Sequence, residues 1–117
     1  MTMNLIIGGT NAENEEVIKL YVKKVFTTNT RHYFINVNAP LKDIMEHILN
    51  NAENHFQIDR NEVKELVASG QSIPGVKSED APAIELENPG ETFKQRFGNR
   101  YNLTAFYIRT TGNRIIG

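Results

Sequence analysis

The chain has 117 residues, with 13 lysines and arginines against 14 aspartates and glutamates, for a formal charge of −1. That length suits one domain with its own core, and the balanced charge gives no field of either sign that would select a polyanion or polycation as the main partner. The absence of cysteine excludes a disulfide framework, cysteine-ligated zinc and thiol catalysis. "MTMNLIIGG" has neither the basic start of a signal peptide nor the length of a membrane span, so a cytoplasmic protein with no membrane partner is expected.

Residues 1–15 read as an N-terminal arm, in which the polar stretch "GGTNAENEE" separates a short apolar start from the first regular element. In "VIKLYVKKVF", Val17 to Phe26, Ile18, Leu20 and Val22 fall on one side and Lys19, Tyr21 and Lys23 on the other, the two-residue period of a half-buried strand. After the connector "TTNT", "RHYFINVN" sets Tyr33, Ile35 and Val37 against His32, Phe34 and Asn36, and strands joined this tightly pair antiparallel. The period then lengthens. Asn38 can cap a helix and Pro40 suits its first turn, while Leu41, Ile44, Met45, Ile48 and Ala52 form one stripe opposite Glu46, His47 and Asn50.

Residues 59–70, "DRNEVKELVASG", admit two readings. Asp59 with Glu62 forms a capping-box pattern and Val63, Leu66 and Val67 have helical spacing, whereas a strand through "VKELVAS" would send Leu66 and Val67 to opposite faces. Downstream, "QSIPGVKSEDAP" reads as a long connection, "AIELE" as a short strand and "NPG" as a turn. "ETFKQRF" then supplies one or two helical turns and "LTAFYIRT" a closing strand.

Little in this pattern points to catalysis. "IIGGTNAE" lacks the spacing of a dinucleotide fingerprint and the lysine of a phosphate loop. His47 and His55 are eight residues apart, too far on a helix to share a metal without further ligands, and His47 is expected in solvent. "VASGQS" does not match a nucleophile elbow. No enzymatic activity, metal or cofactor is therefore expected. In "ETFKQRFGNRY", Lys94, Arg96 and Arg100 interleave with Phe93, Phe97 and Tyr101, a mixture that can hold single-stranded nucleic acid. Phe93 and Phe97 share one helical face, however, where they would plug a core, so a nucleic-acid partner is not expected.

The order of elements resembles ubiquitin and its relatives, the β-grasp fold. The likeness rests on the leading hairpin "VIKLYVKKV" and "RHYFINVN", the helix opened by "APLKDIMEHI", the segment "ELVASGQ", the small turn "ETFKQRFG" and the last strand "LTAFYIR". It implies an α+β fold, a mixed sheet packed on one main helix at about residues 40–54, with a domain over 16–112 and a tail over 113–117. A generic α+β sandwich with helix at 59–70 is the alternative. The resemblance further implies protein partners met through Val67, Tyr107 and Arg109, and a tail in which Ile115 and Ile116 find a pocket on an activating enzyme and Gly117 is the point of conjugation. The tail ends in a single glycine, not the double glycine usual for such modifiers. A rival reading makes "NLIIGG" and "NRIIG" arms that add strands to sheet edges, as in self-association or a viral or phage assembly component. A small RNA-binding protein is the third.

Overall fold

A computed structural model of the chain describes residues 6–7, 16–25, 27–62, 64–68, 83–86 and 88–110. The alternating stretches become strands: β1 is Ile6–Ile7, β2 Val17–Lys24, β3 Thr30–Asn36, β4 Lys64–Ala68 and β5 Ala105–Thr110. They form one mixed sheet in the order β1-β3-β2-β5-β4. The β2–β3 hairpin is antiparallel with Leu20 opposite Tyr33, β5 runs parallel to β2 with Phe106 beside Val22, and β4 closes antiparallel on β5 with Leu66 opposite Ile108. Ile6 and Ile7, read as part of an arm able to add to a sheet edge, run parallel to β3 on this chain's own sheet.

The helical stripe covers one face of that sheet. Leu41, Ile44, Met45 and Ile48 of α1 (Leu41–Asn50), with Ala52 and Phe56 of α2 (Ala52–Phe56), share a core with Leu20, Val22, Tyr33, Ile35, Leu66, Phe106 and Ile108. The main helix expected at about 40–54 is thus two pieces. They break at Asn51, whose backbone and side-chain N–H groups both donate to the His47 carbonyl, at 3.2 and 2.8 Å. α2 stops at Gln57, which takes left-handed backbone angles.

Asn38 does not cap α1. Its own N–H donates to Asn36 Oδ1 at 2.9 Å, and the Leu41 N–H at the helix start donates to the Glu91 carbonyl at 2.8 Å. The strand reading of 59–70 holds and the helical one fails. Residues 59–62 form a turn in which Asp59 Oδ1 accepts from the Asn61 N–H at 2.8 Å, and Leu66 and Val67, adjacent in sequence, are both buried. In the antiparallel ladder with β5 they stand opposite Ile108 and Tyr107, and so face opposite sides of the sheet. "AIELE" is not a strand over its described residues 83–86. One bond, from the Ile84 N–H to the Leu66 carbonyl at 2.8 Å, lays it along the outer edge of β4.

α3 (Phe93–Phe97) opens on Thr92, whose hydroxyl accepts from the Gln95 N–H while Gln95 Oε1 accepts from the Thr92 N–H, a reciprocal cap. It passes through Gly98 into a 3-10 helix, Gly98–Leu103, that leads into β5.

Candidate functional site

Register decides what the face of the sheet away from α1 shows. Because Tyr21 stands opposite His32 and Lys19 opposite Phe34, these side chains leave the face away from α1, joined by Lys23 on β2 and by Tyr107 and Arg109 on β5. Rings meet in an uninterrupted row across β2 and β3. Tyr21 and His32 have centroids 6.1 Å apart at 65°, and His32 and Phe34 lie 5.8 Å apart at 85°, both edge-to-face. The Lys19 ammonium stands 5.8 Å from the Phe34 ring centroid.

Exposure across this face is uneven. Tyr21 is 51% exposed, one of two large hydrophobic side chains so exposed among the described residues, whereas Val67 at the far side has no exposure. Tyr107, opposite Val67 in the register, is half-buried. Arg109 donates from Nε to Glu65 Oε1 at 2.6 Å, a partly buried ion pair between residues facing each other on β4 and β5. Of the residues that the resemblance suggested, Val67, Tyr107 and Arg109 therefore lie together on one face. Val67 is enclosed and Arg109 is engaged, so the part open to solvent is one strand over, on β2 and β3. Ile115, Ile116 and Gly117 lie outside the described residues.

The sequence did carry a signal for the open half. Alternation put Lys19, Tyr21 and Lys23 on the polar side of their strand, so that a tyrosine stands among lysines on the side away from the core.

On the opposite face His47 and His55 converge on one residue. The Tyr33 hydroxyl is hydrogen-bonded to His55 Nδ1 at 2.9 Å, and the His47 ring meets the Tyr33 ring edge-on at 6.2 Å. His47, expected in solvent, is half-buried because α1 turns it toward β3. Burial pushes the Tyr33 phenol up to about 12, against a smaller opposing pull from Arg31. Burial, followed by the charges of Arg31 and His47, holds His55 below the usual imidazole value. Among the described residues no group of three histidine, cysteine or acidic side chains could hold a metal ion.

Much of the basic aromatic segment is engaged within the chain, with Arg100 exposed. Phe93 is buried, with Phe97 4.8 Å and Phe106 5.8 Å from it. Lys94 pairs with Glu16 at 3.4 Å, and Arg96 pairs with Glu91 at 3.1 Å while also donating to the Glu85 carbonyl. No helix among the described residues is long and apolar enough to cross a membrane.

No family model matches the chain, and no curated protein matches it. Among solved structures it is similar to the solution structure of the C-terminal ubiquitin-like domain of mouse tubulin-specific chaperone e. The TM-score is 0.54 at 14% identity, over 92% of this chain and 100% of the other. A likeness at that identity speaks for the fold, and the fold is ubiquitin-like: a mixed five-stranded sheet with helices.

Proposed function

We propose that this chain, built on a ubiquitin-like fold, works as a protein-interaction module whose contact surface is the β2–β3 half of the open sheet face. The observation that carries this is Tyr21, half exposed at one end of a row of rings laid across the β2–β3 hairpin. Aromatic side chains held this way are the anchors that dominate binding energy at protein interfaces. The reading assigns the chain no catalysis and a cytoplasmic location. The similar structure is, by its description, a domain of a tubulin-specific chaperone, and a ubiquitin-like domain set within a larger protein supports action by contact over action by conjugation.

Conjugation through Gly117 is the finer reading. Its support is chemical: a glycine has no side chain to obstruct a narrow cleft in which its carboxylate would become an adenylate. A photo-crosslinking residue placed at Tyr21 is expected to capture a defined protein in the native cell, and the same residue at Glu46, on the exposed side of α1, is not. Equal capture at both positions would remove the sheet face from the proposal. Conjugation predicts heavier adducts of the chain that vanish when Gly117 is deleted, and adducts that persist would end it.

A further inference from the structure

Charge on the open face is one-sided. Along the outward positions of β2 run Lys19, Tyr21 and Lys23, and neither lysine takes part in an ion pair among the described residues. The one carboxylate that the described strands place on this face is Glu65, and Arg109 holds it. His32 and Phe34 flank the row from β3. At about 3.3 Å per residue the two lysines stand roughly 13 Å apart with the tyrosine midway. An extended partner segment has the same two-residue period, so side chains at its positions i, i+2 and i+4 would meet the three in step.

We infer that the occupant of this face is an extended acidic segment of a protein, with carboxylates at positions i and i+4 set against Lys19 and Lys23 and an apolar or aromatic side chain at i+2 against Tyr21. The inference rests on the proposed interaction role and names the chemistry of the partner. Charge complementarity selects the acid. The rings select a protein over a single-stranded nucleic acid: Tyr21, His32 and Phe34 meet edge-to-face, at 65° and 85°, and so offer no series of parallel faces for successive bases. Two lysines on a chain of net charge −1 also make a short phosphate track.

The test uses three fluorescein-labelled probes against the full chain. One is a nine-residue peptide with glutamate third and seventh and phenylalanine fifth among serines and threonines. The second carries lysine in place of both glutamates, and the third is a single-stranded oligodeoxythymidine. The acidic peptide is expected to bind at least tenfold tighter than the basic one, and the Lys19→Glu, Lys23→Glu double variant is expected to invert that order. Inversion reports the charges themselves, since a damaged fold would weaken both peptides. Should the double variant not fold, Lys19→Glu alone, at an exposed position, is expected to narrow the preference at least threefold.

Failure of the native chain to prefer the acidic peptide, or a preference that the variants leave unchanged, overturns the inference. So does an oligonucleotide that binds tighter than the acidic peptide and is lost on the double variant, which would assign the face to nucleic acid. A cellular partner captured at position 21 whose contact survives the double variant defeats the acidic segment and leaves the interaction role standing. No capture at position 21 defeats that role itself.

Discussion

Burial of the His55 ring beside Tyr33 makes stability depend on its protonation. A neutral His55 lets the phenol donate to Nδ1, and a protonated ring would donate to the phenol oxygen, so the bond exists in both states and burial decides between them. His55 is lowered in the fold, while an unfolded histidine titrates near 6.5. The unfolded chain therefore takes the proton more readily. The contribution of this ring to stability is complete above that pH and is lost as pH falls through the folded value. The urea midpoint of the native chain should drop more steeply between about pH 7 and pH 5 than that of His55→Gln, and parallel curves would remove His55 from this role. Gly98 poses a separate problem, having φ +56° and ψ −132° with nothing within 4 Å of where a Cβ would stand. Gly98→Ala meets no clash and still forces an L-residue into a region it avoids, at a cost of about 1–3 kcal/mol in chemical denaturation.

At the scale of elements, α3 is five residues long and depends on its reciprocal cap. Thr92→Ala removes the acceptor for the Gln95 N–H and should cost about 1 kcal/mol, read from the shift in denaturation midpoint. Elements whose pattern is local were legible in the sequence. The alternation of β2 and β3 and the stripe of α1 follow from the spacing of Leu20, Val22, Tyr33, Ile35, Ile44 and Ile48, all of which are buried. Residues 59–70 were ambiguous because the capping pattern at Asp59 is local, whereas the ladder that makes a strand of Leu66 and Val67 is supplied by Ile108 and Tyr107, far along the chain. "AIELE" failed for the complementary reason. Its alternation of Ile84 and Leu86 with glutamates reads as a strand, yet the described part gains only one backbone bond to β4. Alternation placed Tyr21 correctly on the outward side, but that Val67 on the same face is enclosed depends on tertiary packing that no two-residue period encodes.

For the whole molecule, one core joins α1, α2 and α3 to the covered face of the sheet, and Ile48 lies within it with no exposure. Ile48→Ala should cost roughly 2–5 kcal/mol, the transfer of the lost carbons plus the cavity left between α1 and the sheet. A calorimetric scan showing an unchanged melting temperature would mean that α1 and the sheet are less tightly joined than this packing implies.

The parallel ladder of β2 and β5 also sets the order of events during synthesis. Tyr21 is paired beside Ala105 and Lys24 beside Ile108, so the last of the described strands is an interior one, and β4 reaches the described sheet through it. While Thr110 is still inside the ribosome, β2 has no neighbour on that side and β4 has no place to go. The hairpin and α1 can form early from local contacts, but Leu20 and Val22 then wait without Phe106 and Ile108 to cover them. A nascent chain stalled within β5 should be cut readily by a dilute protease. One with β5 clear of the exit tunnel should resist, which makes the emergence of β5 the moment at which this sheet can close.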